Sequence, residues 1–137
     1  MDRRHLRHVR DRPLVLIVDD DEDTRAMYAF ALLASGFEVA IADGTGDPCG
    51  RAKEMLPDII LAALERRGGD EWALVGNLRQ DPRTLQIPLV ILTARAVNTI
   101  RERAELEGCA ALCVKPCLPD VLAVGLRAVL ERYAPHG

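Results

Sequence analysis

The chain has 137 residues, 49% of them apolar and 28% charged, with a formal net charge of −3 at pH 7. That is enough for one complete hydrophobic core and too little for a core plus a second effector domain, in the balance of a soluble globular protein. No apolar stretch approaches the roughly 20 residues of a membrane span and no apolar signal core opens the chain, so a membrane role is excluded and a cytoplasmic location is expected.

Residues 1–12 form a basic arm. Arg3, Arg4, Arg7, Arg10 and Arg12 stand against Asp2 and Asp11, leaving +3 on the arm and −6 on the rest. A solvated tail is the plain expectation, and contact with nucleic acid or an acidic partner is the alternative. The folded domain is expected over residues 13–134. Leu14-Val15-Leu16-Ile17-Val18 then reads as a fully buried strand that ends abruptly in Asp19-Asp20-Asp21. Adjacent carboxylates at a strand exit call for water, a cation or a nearby Lys to offset their repulsion.

Asp23-Thr24 can cap a helix in which Met27, Phe30, Ala31 and Ala34 follow the i, i+3, i+4, i+7 pattern, with Gly36 as its stop. Phe37 to Ala42 alternates as a second strand. A turn-rich stretch and a short helix over about 49–56 follow. Asp58 to Leu64 is a third strand, buried like the first, and Glu65 to Asp70 a polar loop. Trp72, Val75 and Leu78 mark a third helix that ends near Asp81-Pro82. Pro88 to Leu92 is a fourth strand with Thr93 at its exit. Ala96, Val97, Ile100 and Ala104 line a fourth helix stopped by Gly108.

Ala111 to Val114 is the fifth strand, followed at once by Lys115-Pro116. Leu118, Val121, Leu122, Leu126, Val129, Leu130 and Tyr133 form a wide stripe on the last helix, with one face for the sheet and a second apolar edge near the surface. Cys109, Cys113 and Cys117 lie four residues apart, but Pro116 and the strand character of Leu112-Cys113-Val114 argue against a metal knuckle. These thiols read as small hydrophobes, and His5, His8 and His136 have no evident metal partner.

Alternating strands and helices imply parallel pairing through right-handed crossovers. The fold class expected is α/β: a doubly wound, flavodoxin-like, five-stranded parallel sheet in the order 2-1-3-4-5. That order gathers Asp19, Asp20, Ala63, Thr93 and Lys115 around one crevice at the carboxyl ends of the strands.

Val18-Asp19-Asp20-Asp21, Leu92-Thr93-Ala94 and Val114-Lys115-Pro116 resemble the three site motifs of response-regulator receiver domains, in family order and spacing. Pro57-Asp58-Ile59-Ile60-Leu61 and Asp81-Pro82-Arg83-Thr84 with Ile87-Pro88 are similar to the family as well. The resemblance covers about residues 13–133. It implies a signalling module of two-component phosphorelays, not an enzyme, whose partner is a histidine kinase or another signalling protein. In the family, a carboxylate ending the third strand accepts a phosphoryl group. The acid pair holds Mg²⁺, and the Thr hydroxyl and Lys ammonium grip the phosphoryl oxygens.

Counted from Pro57-Asp58, the acceptor position is Ala63, and a methyl group offers no oxygen to phosphorus. Asp58 is the family's usual acid at the start of that strand, roughly 16 Å away by strand rise. Glu65, two residues past Ala63, is the substitute to consider. The family's Met-Pro-Gly-x-Asp-Gly loop is here Arg66-Arg67-Gly68-Gly69-Asp70-Glu71, and the switch aromatic three residues before the Lys is Leu112. These departures fit natural divergence together with Ala63.

Asp19 and Asp20 are then either a weak Mg²⁺ site or ion-pair partners of Lys115, and Thr93 either a phosphate ligand or a helix cap. The function expected is a stand-alone pseudo-receiver: a phosphorylation-independent protein-interaction module. Its docking or homodimer surface is expected on the fourth helix, fifth strand and last helix. The alternatives are an active switch through Glu65 and a nucleic-acid-associated regulator using the arm.

Overall fold

In the computed structural model, residues 12–43, 47–64, 72–94 and 98–133 are described; Glu65, the arm as far as Asp11, Ala96, Val97 and the three histidines lie outside them. Among the described residues five strands alternate with five helices. They are β1 (Leu14–Val18), α1 (Glu22–Ala34), β2 (Glu38–Ala42), α2 (Pro48–Met55), β3 (Ile59–Ala63), α3 (Ala73–Gln80), β4 (Leu89–Thr93), α4 (Asn98–Leu106), β5 (Ala111–Val114) and α5 (Pro119–Arg132). All strand pairs are parallel and the sheet order is β2-β1-β3-β4-β5, the order expected from the alternation of elements and the resemblance.

The apolar runs of β1, β3 and β4 are explained by covering on both sides. Val15, Ile17, Ile59, Leu61, Val90 and Leu92 pack with α1 and α5, while Leu16, Ile60, Leu89 and Ile91 pack with α2 and α3. β2, at the edge, is covered less: Glu38 and Ile41 are exposed and Ala40 is buried. Among the described residues no helix is long and apolar enough to cross a membrane.

Register is fixed at the lower end of the sheet by Asp58. Its carboxylate accepts from Leu14 N at 2.7 Å, and its own N–H donates to the Leu14 carbonyl at 2.8 Å. The pairing then runs Val15 to Ile59 through Val18 to Ala62, so Ala63 follows level with Asp19. The third strand therefore begins at Ile59, with Asp58 as its anchor.

Two expectations for the first helix need correction. The cap is Asp21, whose carboxylate accepts from Thr24 N at 3.2 Å and from the Thr24 hydroxyl, so the helix starts before Asp23-Thr24. The buried face is Tyr28, Ala29 and Leu32; Phe30 is 77% exposed and Met27 48%. Every residue from Ala26 to Ala34 is apolar, so spacing alone could not say which side faces the sheet. The last helix follows its expectation: Leu122, Leu126 and Val129 are buried, and Leu118 and Val121 lie at the surface.

Candidate functional site

The carboxyl ends of β1, β3, β4 and β5 form the crevice. Asp19 leaves β1 with its N–H donating to the Ala42 carbonyl at 3.1 Å, which keeps the chain paired with β2 one residue past the strand. Its side chain turns inward and is 3% exposed. Oδ1 accepts from Asp21 N at 2.9 Å, an Asx turn that folds the acidic run back toward α1. Oδ2 lies 3.6 Å from Lys115 Nζ. Asp20 is exposed at the rim. Asp21 is held below the usual carboxylate range, chiefly by its bond from the Thr24 hydroxyl.

Lys115 comes from β5, which lies beyond β3 and β4 from β1. The Asp19–Lys115 pair therefore bridges the ends of both intervening strands. At β3 that end is Ala63, half-buried, its backbone paired with Leu92. By strand alternation Asp19, Ala63 and Lys115 point to the α1/α5 side, with Ile17, Leu61 and Cys113. Thr93 is fully buried, and its carbonyl accepts the Lys115 N–H at 2.7 Å. Asp19, Ala63 and Lys115 are thus brought together with Asp20 at the rim, whereas Thr93, two residues past Ile91, alternates to the α2/α3 side. Leu112 alternates to that side too and packs with the α2/α3 core, away from the ion pair.

Two further residues shape the crevice. Arg25 Nη1 donates to the Asp19 carbonyl at 2.8 Å, fixing the acidic turn against the first turns of α1. The Tyr28 hydroxyl donates to the Cys117 carbonyl at 2.8 Å and so holds the segment just past Lys115. Burial pushes the Tyr28 phenol above its ordinary pKa. Neither contact had a motif to announce it; Tyr28 was hidden among the apolar residues of its helix. The Lys115–Pro116 peptide is cis. The Cys113 and Cys109 thiols are both pushed up to about 11 by burial, in keeping with packing roles.

A hard divalent cation wants several anionic oxygens. Here Asp19 and Asp20 are the carboxylates at hand, Asp19 already faces an ammonium, and the next strand end offers a methyl group. No group of three or more His, Cys, Asp or Glu side chains suited to a metal occurs among the described residues. Among the described residues the donors at this strand end are therefore fewer than a full Mg²⁺ site uses.

The family profile of the response regulator receiver domain matches residues 15–127. The phosphate regulon transcriptional regulatory protein PhoB of Escherichia coli is 31% identical over 121 residues, covering 88% of this chain and 53% of that protein. The chain thus spans about half the length of the curated relatives it matches. Among solved structures, the response regulator of Burkholderia multivorans superposes with a TM-score of 0.70 at 26% identity, over 91% of this chain and 98% of that one. The chemotaxis response regulator CheY4 of Vibrio cholerae gives 0.78 at 24% identity, over 86% and 98%.

Proposed function

This chain belongs to the response-regulator receiver family, whose members are signalling modules of two-component systems, and from that premise we propose that it is a pseudo-receiver working without phosphorylation. The observation that carries the reading is Ala63. It ends β3 just past the Val18–Ala62 pair, and counting from Pro57-Asp58 it stands where the family's acceptor is expected. Phosphoryl transfer to a side chain needs an oxygen to attack phosphorus, and a methyl group has none.

Lys115, the cation that would meet a phosphoryl group, lies 3.6 Å from Asp19 Oδ2, so the two charges offset each other across the crevice. Mg²⁺ binding through Asp19 and Asp20 is correspondingly weak in this reading. The receiver unit covers residues 13–134 and the basic arm residues 1–12. Signalling then depends on contacts with a protein partner, a histidine kinase or another signalling protein, in the cytoplasm. The surface of α4, β5 and α5 suits such docking: Leu106, Leu118, Val121 and Val124 are all exposed there.

Phosphotransfer tests this directly. With a small-molecule phosphodonor and Mg²⁺, intact-mass measurement should find no phosphoryl adduct on the native chain. An adduct on any crevice residue, or on Glu65, would remove the proposal. Ala63→Asp returns a carboxylate to a crevice that keeps Asp19, Asp20, Thr93 and Lys115, and should gain a hydroxylamine- and base-labile acyl phosphate under the same conditions.

A further inference from the structure

Past its first turn, helix α1 has no polar outer face. From Ala26 to Ala34 every residue is apolar, whereas a surface helix normally turns charged and polar residues to water. The sheet takes up Tyr28, Ala29 and Leu32. Phe30 remains 77% exposed, Met27 and Leu33 48% each, and Ile41 on the adjoining edge strand 41%. Alternation along β2 puts Ile41 on the side α1 covers, because Val39 packs into that core. Together the four expose on the order of 400 Å², within the range of the largest patch on a typical monomer and often functional at that size. The arm preceding β1 has only Met1, Leu6 and Val9 among its arginines, too little apolar surface to cover such a patch.

The charges around the patch indicate what does cover it. Exposed Glu22 and Asp23 stand at the N-terminal end of α1. Two exposed arginines stand at the other end: Arg12 donates to the Leu33 and Phe37 carbonyls, each at 3.1 Å, and Arg127 to the Ser35 carbonyl at 2.6 Å. The helix is about 20 Å long, and Met27 and Phe30 flank its middle. A second copy laid antiparallel about a two-fold axis sets Phe30 of each chain against Met27 of the other. The same operation sets each acidic end against an arginine end and opposes the helix dipoles. Two such patches would bury at most about 800 Å² of apolar surface, of the order of the apolar share of a standard interface of about 1,600 Å².

We propose that the protein is a homodimer through antiparallel pairing of α1, which leaves the α4–β5–α5 surface free for another protein. This is independent of whether the crevice accepts phosphate. Sedimentation equilibrium on the full chain from about 1 to 200 µM tests it. The native chain should be dimeric within that range. Phe30→Glu and, separately, Met27→Lys should be monomeric with an unchanged circular dichroism spectrum, while Val121→Glu on α5 should dimerise like the native chain. Glu22→Arg with Asp23→Arg should weaken the dimer at least about tenfold, by removing attraction at both ends of the interface. A native chain monomeric throughout overturns the proposal. So does a dimer lost in Val121→Glu but kept in Phe30→Glu, or one that forms only after residues 2–11 are deleted, since the arm would then be the covering element.

Discussion

Asp58 and Asp19 are both acids at the ends of buried strands, yet they do different work. Asp58 spends its carboxylate on a backbone N–H at the lower end of the sheet, 2.7 Å from Leu14 N. Asp58→Ala would strand that buried donor and should cost about 1–3 kcal/mol, read by urea denaturation. Asp19 is balanced by Lys115, whose side chain is itself 15% exposed. Lys115→Met removes the cation facing a buried carboxylate, so a loss toward or below the lower end of the 3–5 kcal/mol typical of a broken buried pair, about 2–3 kcal/mol, is expected. Asp19→Asn in the same chain should recover part of it, and a double-mutant cycle measures how much. The acids, Thr93, Lys115 and Ala63 were legible in the sequence because motif spacing fixes which residues end each strand. The bonds from Arg25 to the Asp19 carbonyl and from Tyr28 to the Cys117 carbonyl were not, since backbone carbonyls leave no mark on composition.

At the scale of elements, the strands were easier to read than the helices. Runs such as Leu14–Val18 and Leu89–Thr93 are buried on both faces, so no choice of side arises. α1 defeated periodicity for the opposite reason: its apolar residues go all the way round, and only the sheet decides that Tyr28, Ala29 and Leu32 turn inward. Its exit was plain from Gly36, which has φ of +95°, where an L side chain is strained. A Cβ there would also stand 2.7 Å from Arg127 Nη2, the group that donates to Ser35 O. Gly36→Ala should therefore destabilise by at least about 1 kcal/mol, measured as a lower urea midpoint with unchanged m-value.

For the molecule as a whole, the alternation of elements narrowed the sheet to a few orders, of which the favoured one is seen, and that order places the crevice. Acid stability has an identifiable contributor far from that crevice. Asp81 accepts from Arg83 through both carboxylate oxygens and lies 3.3 Å from Lys53 Nζ, so the loop after α3 is tied to α2. Its hydrogen bonds from Arg83, above all, hold the carboxyl well below the usual range. A carboxylate depressed in the folded state stabilises fully above the unfolded value, about pH 4, and the benefit fades as pH falls toward the folded value. Unfolding free energy should fall less steeply below about pH 4 in Asp81→Asn than in the native chain, as followed by urea titrations at successive pH values.

The Lys115–Asp19 pair joins the two sides of the crevice across the ends of β3 and β4. If, as proposed above, the crevice takes no covalent mark, the chain carries no clock of its own: no acyl phosphate decays to reset it. On that proposal, copy number is a quantity a cell can vary, and the signal would be read as dose.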